Sequence, residues 1–301
     1  MILFGEQTAL IDAATELGYH QVYEQNDYQQ QLAPHATTEL EVIIADEQGE
    51  YACHAGRKEK IMEIRRYKHD AAYSYTLGMA LTIELISKKD SYFIRKIYVH
   101  PDYVPKDDKY NIFKICNEAH LPIEINQKIF NRLSTKENVY VIGIFDKHDM
   151  NIEPEKSHVV LVNPSDSGNL GTILRTGLGF GFKDYVIIKP GVDIYDPKTI
   201  RSSMGAFFHV RFTYYDTFEQ YRQKFSNHQM YLFMLDGKYN LKDMKETPQK
   251  KPFSLVFGNE GSGLPDIFHN YGDSIYIEHN HEIDSLNLSV AFGIAANAFS
   301  E

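Results

Sequence analysis

Cysteine is scarce in this chain of 301 residues: Cys53 and Cys116 stand far apart and without Cys-x-x-Cys spacing. That excludes a disulfide framework and a cysteine-built zinc site, and it fits a reducing compartment. Long apolar runs are missing too, since no stretch approaches the roughly eighteen residues of a membrane span. The opening Met1-Ile-Leu-Phe-Gly-Glu6 has no basic region ahead of an apolar one. The expectation is a cytoplasmic protein with no membrane attachment. No Gly-Lys-Ser/Thr loop is present, which removes ordinary nucleotide hydrolysis. Nor is there a Gly-x-Ser-x-Gly elbow, so no serine is expected to act as a hydrolase nucleophile.

Positive charge is absent from one segment. Residues 1–56 contain no Lys or Arg and ten acids, so the formal net charge of −10 belongs to that segment and the other 31 acids are matched by all 31 Lys and Arg. A neutral body still binds polyanions where its bases cluster, because phosphate contacts follow local potential rather than net charge. Arg57, Lys58, Lys60, Arg65, Arg66, Lys68 and His69 form one such cluster. It reads equally as an RNA contact or as a solvated helix face.

What is present is a globular composition, 43% hydrophobic and 13% aromatic, at a length suited to about two domains. Residues 1–56 combine a helix over 8–17 with an alternating pair, 40–45 and 50–53, across Asp-Glu-Gln-Gly, a hairpin signal. No chemistry is apparent there. Residues 69–149 alternate between the two types: helix 71–87, strand 93–99, helix 110–120, short strand 121–125, helix 127–133 and buried strand 139–145. Residues 149–157 are polar and contain Pro154, a linker. Strands follow at 158–163, 184–188, 207–212, 229–235, 253–258 and 274–277, and continuous apolar strands alternating with helices predict a mostly parallel α/β sheet covered on both faces. The domain boundaries expected are 1–68, 69–150 and 157–301.

Three glycine- or amide-rich turns in the second half each lie between a strand and a helix, where α/β proteins hold ligands. They are Asn163-Pro-Ser-Asp-Ser-Gly168-Asn169-Leu-Gly171-Thr-Ile-Leu-Arg175, then Phe257-Gly258-Asn259-Glu260-Gly261-Ser-Gly263-Leu264, then Ser285-Leu286-Asn287-Leu288-Ser289-Val290-Ala291. Gly258 lets the backbone come close to a flat ligand, and Gly261 and Gly263 permit positive φ. In residues 287–299, Leu288, Val290, Ala291, Ile294 and Ala295 recur at helical spacing, predicting a helix that buries them against the sheet. Gly177-Leu-Gly179-Phe-Gly181 follows a helix rather than a strand, so it reads as a helix C-terminal turn and not a dinucleotide fingerprint. Glu278, His279, His281 and Glu282 lack a distant fourth partner, and no metal is expected.

With the intervening Arg201-Ser-Ser-Met-Gly205-Ala206, the order and spacing of these motifs resemble the SpoU (TrmH-type) branch of the SPOUT methyltransferases. The resemblance implies methyl transfer from S-adenosylmethionine to a ribose 2′-hydroxyl of rRNA or tRNA. It implies a deep trefoil knot at the carboxy terminus and a homodimer. The 69–150 segment is similar to the small substrate-binding domain of ribosomal-protein ancestry that often precedes this domain. Carried over by motif, the cofactor positions are Leu235, Phe257, Gly258, Asn259, Gly261, Ile277 and Leu286, and the catalytic positions are Asn169, Arg175, Glu260, Asn287 and Ser289.

Arg175, as a planar fork, suits holding a phosphate and so fixing the ribose; a guanidinium is a poor base. Asn163 reads equally as a substrate contact or an Asx cap. Where the family usually has Ile-Pro-Met this chain has Ile277-Glu278-His279, expected to put a charge and an imidazole near the adenosyl pocket. That change, with the acidic amino terminus, keeps a second reading open: a non-catalytic RNA-binding protein that retains the fold.

Overall fold

The computed structural model describes residues 40–45, 50–55, 64–105, 110–134, 138–244, 252–280 and 282–300, with backbone alone for the first two ranges. The helix expected over 8–17, and Arg57, Lys58, Lys60 and His281, lie outside the described residues. Strands β1 (Leu40–Ala45) and β2 (Glu50–Ala55) pair antiparallel, the hairpin that their alternation predicts.

From residue 65 the chain first builds a small antiparallel arrangement. β3 (Tyr73–Tyr75) leads to α1 (Met79–Ser87), β4 (Ile94–Val99), α2 (Ile112–Ala119), a short β5 (Ile123–Ile125), α3 (Gln127–Leu133) and β6 (Val141–Asp146). β6 pairs antiparallel with both β3 and β4. The single helix expected over 71–87 is therefore corrected. Tyr73, Ser74 and Tyr75 are extended and buried, and Gly78, at φ 112°, breaks the backbone before the helix starts at Met79.

The remainder is a seven-stranded sheet of β7 (His158–Val162), β8 (Asp184–Ile188), β9 (Arg211–Tyr215), β10 (Gln229–Phe233), β11 (Tyr239–Asn240), β12 (Phe253–Phe257) and β13 (Asp273–Tyr276), in the order β11-β13-β10-β12-β7-β8-β9. All its pairings are parallel. Its central strands β7, β8 and β12 are buried on both faces, as their unbroken apolar runs require. The helices are α4 (Ser167–Gly179), α5 (Pro197–Ser202), α6 (Phe218–Lys224), α7 (Leu241–Met244) and α8 (Leu288–Phe299). α4 is capped by Asp166, whose carboxylate accepts from Asn169 N, and it packs so closely on α5 that a Cβ on Gly171 would come within 2.6 Å of the Thr199 carbonyl. After α4 the chain turns at Gly181 (φ 86°), as the Gly177-Gly179-Gly181 spacing predicts for a helix end.

Two expectations in this half fail. The Phe-rich stretch 207–212 is not one strand: Met204 and Gly205 have φ of 50° and 93°, and Ala206–His209 forms a 3₁₀ turn before β9 starts at Arg211. On α8, the side chains facing the sheet are Leu288, Phe292, Ala295, Ala296 and Phe299, whereas Val290 and Ile294 are 50% and 40% exposed. The helix carries two apolar stripes, and spacing alone does not say which is covered.

The small arrangement is held against the large sheet by polar and aromatic contacts. Ser74 Oγ donates to the Tyr195 carbonyl at 2.6 Å, Tyr195 OH donates to the His148 carbonyl at 2.6 Å, and Lys147 Nζ lies 3.6 Å from the Asp193 carboxylate. Around them Phe145 packs edge-on to Phe208, and Tyr92 edge-on to Phe208.

The 149–157 stretch has no regular structure yet is strapped to the sheet. His158 Nε2 donates to the Glu153 carbonyl at 2.8 Å, and His228 Nε2 donates to the Pro154 carbonyl at 2.8 Å. The other ring nitrogens accept from buried hydroxyls, His158 Nδ1 from Tyr221 OH at 2.9 Å and His228 Nδ1 from Ser254 Oγ at 2.9 Å, and the two hydroxyl oxygens lie 2.6 Å apart. Burial pushes His158 down to about 4 and lowers His228 as well. Both rings are thus neutral in the folded chain near pH 7, while unfolded histidine titrates near 6.5. Below that pH the unfolded state binds protons that the folded state refuses, so stability falls with pH. From pH 7 to pH 4 the expected loss through His158 is about 3 kcal/mol. Urea unfolding at several pH values checks this; a His158→Gln variant whose stability falls just as steeply would show that the slope arises elsewhere.

Candidate active site

The connections that leave the carboxyl ends of β10, β12 and β13 converge on a cavity of about 430 Å³. Leu235, Phe257, Gly258, Asn259, Gly261, Ile277 and Leu286, the seven positions carried over for the cofactor, all line it. Met234, Asp236, Leu264, Asp266, Ile275, His279, Asp284, Ser285, Leu288 and Ala291 join them. Leu264, Ser285, Leu288 and Ala291 stand inside the second and third motifs and His279 was expected near the pocket, whereas Met234, Asp236, Asp266, Ile275 and Asp284 lie outside the quoted motifs.

The 259–263 loop owes its shape to its ends. Asn259 and Gly263 exchange backbone hydrogen bonds of 3.3 and 3.0 Å, and Asn259 Oδ1 accepts from Gly261 N at 2.9 Å and Ser262 N at 3.3 Å. Gly263 takes φ 67°, as expected; Gly261 does not adopt positive φ, because the Asn259 side chain satisfies that turn. A Cβ on Gly258 would fall inside contact distance of the Gly263 carbonyl and Leu264 N, so this glycine is required by the loop folding back over it.

Four of the five catalytic positions are joined by hydrogen bonds. Glu260 accepts from Ser165 N at 3.0 Å, Ser165 Oγ at 2.7 Å, Asp166 N at 3.1 Å and Asn169 Nδ2 at 3.3 Å. Asn287 Nδ2 donates to Asn169 Oδ1 at 3.0 Å, and Asn287 Oδ1 accepts from Ser289 Oγ at 2.7 Å and Ser289 N at 2.9 Å. Asn287 is also the N-cap of α8, so its position is set by the helix start. Partial burial pushes the Glu260 carboxyl up, but the donors from Ser165, from its own backbone and from Asp166 outweigh this and hold it below the ordinary carboxylate range. It is an ionised, fixed acceptor near neutrality. Ser165 and Asp166 are the partners that sequence reasoning did not single out, though both stand inside the first motif.

Arg175 lies apart from this chain. It is exposed on α4 and does not line this cavity. Its six-residue separation from Asn169 is nearly two helical turns, about 9 Å along the axis. Asn163 has φ 55°, and its carbonyl accepts from Asn259 Nδ2 at 2.7 Å, tying the first motif to the second.

The Ile277-Glu278-His279 departure resolves into two directions. Glu278 is exposed and turned away, its carboxylate 2.6 Å from Lys242 Nζ and 3.3 Å from Asn240 Nδ2. No charge from it enters the cavity. His279 does line the cavity, its Nδ1 donating to the Ile277 carbonyl at 2.8 Å. Among the described residues no group of three or more His, Cys, Asp and Glu gathers as a metal site would require, and no helix is long and apolar enough to cross a membrane.

Comparison with known proteins agrees with this architecture. Residues 156–297 match the SpoU rRNA Methylase family. A Listeria monocytogenes protein assigned as a tRNA (cytidine(34)-2′-O)-methyltransferase is 29% identical over 142 residues, covering 46% of this chain and 84% of that protein. The 23S rRNA (guanosine(2553)-2′-O)-methyltransferase RlmP of Bacillus subtilis is 31% identical over 136 residues, covering 43% of this chain and 52% of its own length. Among solved structures, the AdoMet-bound rRNA methyltransferase of Sinorhizobium meliloti superposes with a TM-score of 0.64 at 23% identity, covering 75% of this chain and 86% of that one, which supports a shared fold. Parallel sheet, converging motif loops and sequence match point the same way: residues 156–297, just under half of this chain, are similar to the SpoU rRNA Methylase family.

Proposed function

We propose that this chain transfers a methyl group from S-adenosylmethionine to a ribose 2′-hydroxyl of rRNA or tRNA. The observation that carries the reading is the convergence of the second and third motifs on one cavity, with Glu260 bound to the first motif at its edge. The cavity suits the cofactor. Its volume lies in the ordinary range for small-molecule sites. Ile277, Leu286 and Leu288 give it apolar walls, while Asp236, Glu260, Asp266 and Asp284 line it and no Lys or Arg does, which favours a cationic ligand.

S-adenosylmethionine supplies an activated methyl: the bond from carbon to the ribose oxygen forms as the bond to sulfur breaks, S-adenosylhomocysteine departs, and the hydroxyl proton passes to solvent. The protein's contribution is placement. Glu260 fixes the first-motif loop against the second, the chain through Asn169, Asn287 and Ser289 fixes the start of α8, and the apolar walls exclude water. Arg175 faces solvent, which suits a guanidinium that grips an RNA phosphate. The exposed Val290 and Ile294 offer an apolar stripe for a homodimer interface.

On the same reading, residues 1–68 are an acidic extension or a small domain, 69–150 a small α/β segment that grips RNA, and 157–301 the methyltransferase domain with its carboxy terminus knotted. The protein is cytoplasmic and needs no metal. Calorimetry with S-adenosylmethionine, followed by tritium transfer to total tRNA and rRNA, tests the whole. Cofactor binding followed by transfer is expected; no cofactor binding would leave the non-catalytic RNA binder. Arg175→Ala should lower kcat/KM for RNA at least thirtyfold, roughly the 2 kcal/mol of one charge-assisted phosphate contact, with cofactor affinity unchanged. Unaltered turnover in that variant would remove Arg175 from the mechanism.

A further inference from the structure

A second cavity, of about 550 Å³, opens beside the first, outside the carboxyl ends of β7, β8 and β12. Its place in the topology is informative. From β7 the sheet grows through β8 to β9 in one direction, while β12 lies on the other side of β7 and leads to β13 further out. The cavity therefore spans the switch point of the strand order, where open α/β sheets take ligands. It shares Asn259, Ser262 and Gly263 with the cofactor cavity, so only the 259–263 loop divides the two.

The lining dictates the kind of occupant. It contains no Asp, Glu, His, Lys or Arg. Pro164, Pro190 and Pro265 supply flat faces without N–H groups, and Val162 and Val192 supply apolar walls. The polar groups nearby are largely committed: Asn259 Nδ2 to the Asn163 carbonyl, Ser165 Oγ to Glu260, and Val192 N to the Pro164 carbonyl at 2.7 Å. A phosphate finds no cation there, and a charged amino acid finds no counter-ion. A flat, uncharged heterocycle fits.

We propose that this cavity receives the base of the nucleotide whose ribose is methylated. The proposal rests on the methyltransferase reading above. With the base in this cavity and the methyl donor across the 259–263 loop, the ribose between them lies beside the edge where Glu260 meets Ser165. Because the walls offer faces more than hydrogen bonds, the base is held by stacking and shape, and contacts elsewhere along the RNA select the site.

The test uses the full chain saturated with S-adenosylmethionine, with binding first established by calorimetry; failure of that binding overturns the methyltransferase reading itself. Valine, leucine and isoleucine methyl groups labelled with ¹³C are then followed as adenosine, guanosine, cytidine and uridine are added in turn at millimolar concentration. At least one nucleoside is expected to shift the Val162 and Val192 methyls and leave those of Ile277 and Leu288 in place. Val192→Trp, which fills the cavity, should abolish those shifts at Val162 and reduce kcat/KM for total RNA by about tenfold or more, the loss of one stacked base. Its cofactor Kd should stay within about twofold. Pro265→Trp, at an exposed position, makes the same test should the first variant fail to fold. If cofactor binds yet no nucleoside moves Val162 or Val192, or only Ile277 and Leu288 respond, the cavity is not the base site.

Discussion

Gly258→Ala is expected to weaken binding of S-adenosylmethionine at least a hundredfold, about 2.7 kcal/mol. The reason is backbone against backbone. The added methyl would meet the Gly263 carbonyl carbon and oxygen and Leu264 N, none of which is the flexible end of a side chain. To relieve this the 259–263 loop must lift, breaking the paired hydrogen bonds between Asn259 and Gly263 and displacing Glu260 from Ser165. Gly263→Ala is the control. Gly263 has φ 67° but open space around its Cβ position, so that substitution costs only the strain of a left-handed residue, about 1 kcal/mol. Calorimetry on both variants separates the effects. Equal losses at the two positions would mean that loop flexibility matters and the close approach at Gly258 does not.

That contrast also marks how far the sequence could be read. The parallel sheet was legible because strands covered on both faces must be apolar throughout, and β7, β8 and β12 are. The stretch 71–87 misled because its apolar spacing is compatible with one long helix, and only pairing with β6 draws Tyr73–Tyr75 into a strand. Val290 misled for a related reason: α8 is apolar on more than one side, and which side is covered depends on Phe257 and Tyr231, which meet Phe292 and Phe299 from other strands. In the site, a resemblance of motifs identified three loops, of which the second and third share one cavity. The partners of Glu260 were not legible, since Ser165 and Asp166 are about 95 residues away in sequence and are brought close only by the β12-β7 pairing. The direction of Glu278 was likewise hidden until Lys242 was placed beside it.

Glu260→Gln should cost catalysis far more than its near-isosteric shape suggests. In the folded chain both carboxylate oxygens are surrounded by donors: Oε2 by Ser165 N and Oγ, Oε1 by Asp166 N and Asn169 Nδ2. A carboxylate accepts at both ends, whereas an amide presents an NH₂ group at one of them. Whichever way the amide turns, at least two donors face a donor, Asn259 Nδ2 being a third at the Oε2 end. The loss of charged hydrogen bonds at that end is expected to cost about 2 to 3 kcal/mol of stability. The tie between the first and second motifs is then weakened, leaving the Asn259–Asn163 hydrogen bond to hold them, and Asn169 is fixed less firmly against Asn287. Because the role proposed for these groups is placement of the ribose against the methyl donor, kcat should fall about a hundredfold or more. Thermal unfolding and single-turnover methyl transfer, measured together at a temperature where the variant remains folded, decide the matter. A variant that melts earlier but transfers within about twofold of the parent rate would make Glu260 a loop staple and nothing more.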